Sequence, residues 1–186
     1  MYLNIEENYQ LFLTKLKENG ISIDKLDEKY GELIKKASFS ITADSGLAYE
    51  GSLVFVILYK LTPYAIKLNN LLPENVRANK ESLIKVCLLH QLGKAVRIEP
   101  NPNDWEVKNR GMVFRYKNDM PAIRTGLHSL SMCIECGIDL NIEEVEAMTV
   151  NDRDMTDMQS RFHSSVMSCM VREASEMVYL EFNKKG

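Results

Sequence analysis

The chain lacks an excess of charge of either sign. Its 23 Lys and Arg against 26 Asp and Glu leave a net charge of −3 and a pI near 5.7. That balance argues against a broad nucleic-acid-binding surface and leaves room only for a local basic patch. No apolar run approaches the roughly 18 residues of a membrane span. Residues 1–7, MYLNIEE, supply neither the basic nor the apolar part of a targeting peptide. A cytoplasmic protein with no membrane partner is therefore expected. Cysteine is sparse: Cys87, Cys133, Cys136 and Cys169. Cys133-x-x-Cys136 has no second CxxC or Cys-His pair to complete a zinc site. It also falls in an apolar helical pattern, so buried, reduced thiols are expected. The acidic stretch with Asp152, Asp154 and Asp157 lacks the Gly and the closing Glu of a calcium loop, and reads as a helix-capping turn. No internal repeat, linker or low-complexity stretch divides the chain.

What is present is 45% hydrophobic composition over 186 residues, enough for one sizeable core and a single domain spanning 1–186. Tyr9, Phe12, Leu13 and Leu16 form a helical stripe within residues 5–19, opened by Asn4 and Glu7 and closed by Gly20. A second helix over 25–37 presents Leu26, Tyr30, Leu33 and Ile34. Residues 39–51 are polar and contain Gly, hence a loop. Residues 52–61, SLVFVILYKL, are apolar on nearly all faces and read as either helix or buried strand. Thr62-Pro63 predicts a kink or break there, with a helix continuing through residue 72. Residues 125–136 form a helix ended by Gly137, and Asn141 with Glu144 is a capping pair opening a helix to about residue 150. The last helix runs to about residue 182, opened by Thr156 and Gln159. Its core spacing falls on Phe162, Val166, Cys169, Met170, Met177 and Leu180. Between residues 96 and 118, the β-prone runs 106–108 and 112–116 flank Asn109-Arg-Gly, predicting a hairpin. Its Trp105, Phe114 and Tyr116 either pack on the helices or face a partner.

Residues 82–95, SLIKVCLLHQLGKA, are the centre of the pattern. This helix-length run is apolar almost all round, as befits a core, and it carries the polar pair His90-Gln91 in its middle. Two polar side chains in such a place need partners or a task.

The segment LLHQLGK resembles the central helix of the HD-domain metal-dependent phosphohydrolases, LLHDLGK, and is similar to HD proteins of bacteria and their phages. The resemblance covers roughly residues 24–178. It implies an all-α, HD-like helical bundle with a small β-hairpin insertion near residues 96–118. Residues 1–37 would be N-terminal helices and 38–182 the HD-like core. In that family a His, the His-Asp dyad and a distal Asp hold a divalent metal that activates water. Carried over by position, YEGSLVFVIL places Val56 where the first His belongs. His90 keeps the dyad's His, but its Asp is Gln91. TGLHSLS puts Leu127 at a further His, with His128 one place later. EAMTVND puts Asn151 at another His, and the distal Asp becomes Ser175. Valine cannot ligate, amides are weak ligands, and no carboxylate remains at a ligand position.

The resemblance therefore implies a vestigial pocket of His90, Gln91, His128, Asn151, Val56 and Ser175, with Lys94 and Arg124 as phosphate contacts and no catalytic residue. The leading expectation is a degenerate, non-catalytic HD-fold binding, structural or assembly module. It would be phage-encoded or cytoplasmic, without a cofactor, and work with a protein partner, by self-association, or with a nucleotide held but not cleaved. A second reading is a phosphohydrolase for nucleotides or phosphodiesters with a rebuilt centre of His90, His128 and Asp152 holding Mn or Mg. The third is a nucleic-acid accessory protein using Lys108, Arg110, Arg115 and Lys117. Against all three stands a plainer reading, in which His90 and His128 are hydrogen-bonded core histidines.

Overall fold

A computed structural model describes residues 4–121, 123–150 and 165–182. Helix α1 (Ile5–Glu18) starts where the Asn4 side chain accepts the Glu6 amide, and Tyr9, Phe12, Leu13 and Leu16 are its buried stripe, as the sequence predicts. Helix α2 (Asp24–Lys36) follows, with Leu26 and Ile34 inside and Leu33 43% exposed.

The next long segment runs unbroken through the expected break. Helix α3 (Ser52–Val56) passes into a π-turn (Ile57–Leu61) and then into α4 (Thr62–Leu71), with helical backbone angles throughout. Pro63 explains the π-turn. Proline has no amide hydrogen, and its ring crowds the carbonyl four residues earlier. A wider turn placed just before it removes that clash without ending the helix. The apolar run 52–61 is helix, not strand, and Val54, Val56, Ile57 and Leu61 are fully or almost fully buried.

The central run 82–95 is two helices. Helix α5 (Lys80–Leu89), capped by Asn79 accepting the Ser82 amide at 3.0 Å, gives way to α6 (Gly93–Arg97). Between them the chain tightens into three-residue turns. Leu92 N donates to Leu89 O, Lys94 N to Gln91 O and Ala95 N to Leu92 O, at 2.9–3.0 Å. The polar pair His90-Gln91 sits at this step.

Strand β1 (Ile98–Pro100) pairs antiparallel with β2 (Phe114–Tyr116) in the register Ile98↔Tyr116 and Pro100↔Phe114. The β pair is present within residues 96–118, but its first strand lies earlier than residues 106–108. Those residues belong to a helix, α7 (Asp104–Arg110), capped by Asn103 and ended by Gly111 at φ 62°. Asn101 holds the neck: its amide nitrogen donates to Met112 O and to Glu106 Oε2, and its oxygen accepts the Asn103 amide. Phe114 N donates to Ile41 O and Ala43 N to Gly111 O, so the insertion is tied to the loop after α2.

Helix α8 (Thr125–Cys136) ends at Gly137, and α9 (Ile142–Val150) opens with a reciprocal capping box, Asn141 N to Glu144 Oε2 and Glu144 N to Asn141 Oδ1, both 2.9 Å. Helix α10 (Val166–Phe182) packs on α4 and α9, while α8 lies against α6 and α9. The buried face of α10 is Met167, Val171, Ala174 and Val178. This corrects the face expected from the sequence, for Val166, Met177 and Leu180 are 36%, 39% and 73% exposed. Phe162, Thr156 and Gln159 lie outside the described residues. One hydrophobic cluster runs from Tyr9 on α1 to Val178 on α10. No helix among the described residues is long and apolar enough to cross a membrane.

Candidate functional site: a mixed-charge cavity beside the α5–α6 step

The α5–α6 step is fixed by Ser129 on α8. Its hydroxyl accepts the Gly93 amide at 2.8 Å and lies 2.8 Å from the His90 carbonyl and 3.0 Å from the Thr125 carbonyl. Gly93 is obligatory for this approach: a Cβ there would come 2.8 Å from the His128 Cβ and 3.0 Å from the Ser129 nitrogen, and collide with the Thr125 carbonyl. Glycine thus lets α6 touch α8 along its backbone.

This arrangement turns Gln91 and Lys94 into a cavity of about 340 Å³. Its other walls are Phe39, Ser40 and Ile41 from the loop after α2, Ile98 and Tyr116 from the strands, Thr125 from α8, and Arg172, Ser175, Glu176 and Tyr179 from α10. The Lys94 ammonium is buried, donates to the Phe39 carbonyl at 2.9 Å, and lies 3.5 Å from the centre of the Phe39 ring. Such a cation–π contact holds a desolvated charge in place. Tyr179 closes over the same group, with its ring 5.8 Å from that of Phe39. At the other wall Arg97 donates to the Thr125 hydroxyl and stacks 5.3 Å from the Tyr116 ring. The Ser175 hydroxyl donates to Val171 O within its own helix.

Of the residues expected to form the pocket, Gln91 and Ser175 face this one cavity, together with Lys94. Val56 lies fully buried in the apolar core and is not part of the lining. His90 and His128 are buried beside the cavity and do not line it. Arg124 is exposed at the start of α8 and is not part of the lining, whereas Arg172, paired with Glu173 at 3.0 Å, is. Asn151 and Asp152 lie outside the described residues. Sequence reasoning missed Arg172, Glu176 and Tyr179. They are spaced i, i+4, i+7 on α10, with Ser175 on the same face, a polar stripe beside the buried one that a helical projection reveals.

The two histidines are in similar states. His90 Nδ1 lies 3.1 Å from the Val86 carbonyl, so it carries the proton, and Nε2 is left as an acceptor. Burial, aided by the nearby Lys94 charge, lowers its pKa to about 4. Burial and Arg97 likewise lower that of His128. Both rings are therefore neutral at pH 7. Three buried atoms here, His90 Nε2, His128 Nε2 and Gln91 Oε1, meet no hydrogen-bond partner among the described residues. As core histidines they would bond to each other or to Gln91 and Asn151. His90 Nδ1 bonds to the Val86 carbonyl instead. No bond between the two rings or to Gln91 is seen among the described residues, and Asn151 lies outside them.

As a metal centre the donor set fits poorly. The two imidazoles lie outside the cavity lining, and Gln91 and Ser175 bring to it only an amide and a hydroxyl already bonded to its own helix. Among the described residues the one carboxylate on the cavity, Glu176, stands exposed on α10. The divalent metal that the resemblance implies would be held by carboxylate and imidazole ligands together. Among the described residues no group of three or more His, Cys, Asp or Glu is placed to hold one. The cysteines are buried or half-buried and unpaired, and burial pushes the Cys133 thiol up to about 12.

The basic residues of the insertion are partly engaged already. Arg115 pairs with Glu99 at 2.8 Å, and Arg110 lies 5.3 Å from the centre of the exposed Trp105 ring. Phe114 is buried, whereas Trp105 and Tyr116 are 58% and 49% exposed. Set against known proteins, the chain matches no family model, no curated protein and no solved structure.

Proposed function

We propose that the chain is a degenerate HD-type helical domain that binds a small polar ligand in the cavity beside the α5–α6 step and does not hydrolyse it. The observation that supports this most is the meeting of Gln91, Lys94 and Ser175 on one cavity. The resemblance puts two of them where a hydrolase would carry aspartates. What remains there is a hydrogen-bonding and cationic lining, suited to holding a ligand rather than activating water. A cytoplasmic or phage setting belongs to the same reading. The test is a thermal-shift screen of nucleotides, inorganic phosphate and small polar metabolites, with each hit followed by NMR for consumption. A ligand that raises the melting temperature and is recovered intact supports the reading. Consumption of a ligand overturns it.

A second reading, a phosphohydrolase with a rebuilt centre, is favoured by one observation. Both His90 Nε2 and His128 Nε2 are acceptors without a partner among the described residues, as nitrogens poised to ligate would be. It needs carboxylates from elsewhere, with Asp152 the first to consider.

A further inference from the structure

The outward face of α8 is apolar. Between Arg124 and Glu135 the chain carries no Asp, Glu, Lys or Arg, although this helix lies at the surface. Its outer side presents Leu127, 41% exposed, and Ile134, 69% exposed, with the half-buried Leu130 and the small Ser131 between them. Ile123, 37% exposed, leads into the same stripe. The surface helix α1, by contrast, turns Glu6, Lys15, Lys17 and Glu18 outward. From Ile123 to Ile134 the apolar positions are spaced four, three and four residues apart, the alternation of a seam that one helix presents to another. An exposed apolar stripe of this kind marks a contact surface.

The two ends of the stripe differ in a way that selects the partner. At the C-terminal end Leu130, Ile134, Ile138, Leu140 and Val145 wall a groove of about 400 Å³ where α8 turns into α9. Over Gly137, which also lines it, a Cβ would meet no atom within 4 Å. The exposed Asp139 stands on this groove. The N-terminal end offers projecting side chains instead, Ile123 and Leu127, with the exposed cation Arg124 between them in the chain. A surface with knobs and a cation at one end, and a groove and an anion at the other, is complementary to itself turned end over end. A two-fold axis makes that turn, because it sets residue i of one copy on residue j of the other and j on i. An axis near Leu130 and Ser131 pairs Leu127 with Ile134 of the second copy, and brings Ile123 to its groove and Arg124 to its Asp139. The charge pair sets the antiparallel direction, and the apolar stripe supplies the affinity.

We propose that α8 is the face by which two copies of this chain associate, antiparallel about a two-fold axis. The inference is independent of what the cavity beside the α5–α6 step binds. One helix and one groove from each copy make a small interface, so the dimer is weak, with a Kd on the order of 1–100 μM.

The experiment is analytical ultracentrifugation of the full chain from about 1 to 500 μM, in wild type, Ile134→Glu, Arg124→Asp, Asp139→Arg and the double variant of the last two. Wild type passes from monomer to dimer over this range. Ile134→Glu, at a site too exposed to disturb folding, stays a monomer while its circular dichroism spectrum is unchanged. Each single charge reversal sets like charges against each other twice across the axis and weakens the dimer about fivefold or more. The double variant restores opposite charges and returns the Kd to within about twofold of wild type. The proposal is overturned if wild type stays a monomer throughout, or grows beyond a dimer, since a two-fold contact closes on itself. It is overturned equally if Ile134→Glu or the single reversals dimerise as wild type does, or if the double variant stays as weak as the single ones.

Discussion

The Gly93 amide donates to the Ser129 hydroxyl at 2.8 Å, and the same hydroxyl reaches the carbonyls of His90 and Thr125. One side chain on α8 thereby sets the step between α5 and α6, and the step sets where Gln91 and Lys94 point. Gly93→Ala forces a Cβ into the Thr125 carbonyl and the His128 Cβ and is expected to cost about 2 kcal/mol. Ser129→Ala leaves the buried Gly93 amide unmet and costs about 1–3 kcal/mol. Because both act on one contact, the double variant loses less than the sum. Urea denaturation of the four proteins measures this.

Gln91→Leu should behave in the opposite way. Replacing a buried amide whose oxygen has no partner by an apolar side chain of similar size removes an unmet acceptor. Stability is expected to hold or rise by about 1 kcal/mol. A fall of that size would mean that the amide is bonded in the folded protein. The same urea series reports either result.

Burial of His90 makes stability depend on pH. Its pKa is lowered from 6.5 to about 4 in the folded chain, so between those values the unfolded chain binds more protons. The neutral ring's contribution is complete above about pH 6.5 and is lost as pH falls towards 4, up to about 3 kcal/mol in all. His128, also lowered, acts in the same direction. His90→Leu should flatten the profile over that window, leaving the carboxylates' own acid loss. Melting temperature against pH for the two proteins checks it.

Glu144 joins two jobs. It caps Asn141 and pairs with Lys85 at 3.0 Å, with its side chain 4% exposed. Glu144→Ala leaves the partly exposed Lys85 ammonium with the Asp139 carbonyl alone and removes the cap, and is expected to cost about 1–3 kcal/mol. Glu144→Gln keeps the cap to Asn141 and should lose less than Glu144→Ala. Thermal denaturation separates them.

Gln91→Asp alone should not create a phosphohydrolase. Val56 is in the apolar core and the Ser175 hydroxyl is turned into its own helix, so one added carboxylate leaves any centre short of ligands. Turnover of nucleotides with added Mn²⁺ in the variant, absent from wild type, would contradict that.

The sequence made the helices legible where caps and periodicity agreed. Asn4, Gly20, Gly137 and the Asn141–Glu144 pair stand where their chemistry puts them. The same pattern stands at Asn103 and Glu106, inside the stretch whose residues 106–108 look β-prone. That Asn-x-x-Glu pair, closed by Gly111, is a helix signal that outweighs the β-prone Val107. Pro63 signals a break, yet a π-turn absorbs it, because packing on both sides holds the chain helical. In the site, His90, Gln91 and Lys94 stand out as polar groups in an apolar run. Arg172, Glu176 and Tyr179 do not, because their role comes from sharing a cavity with side chains of α6 and the strands, which no local pattern encodes. The buried face of α10 was misplaced for the same reason: Val166 and Leu180 are apolar but turned outward.

The most direct measurement of the central claim is elemental analysis of the purified protein, followed at once by a hydrolysis screen of nucleotides and phosphodiesters with added Mn²⁺. A binding domain with a dismantled centre holds no stoichiometric transition metal and turns nothing over. About one metal per chain together with turnover would contradict the account and make His90 and His128 the first residues to test as its ligands.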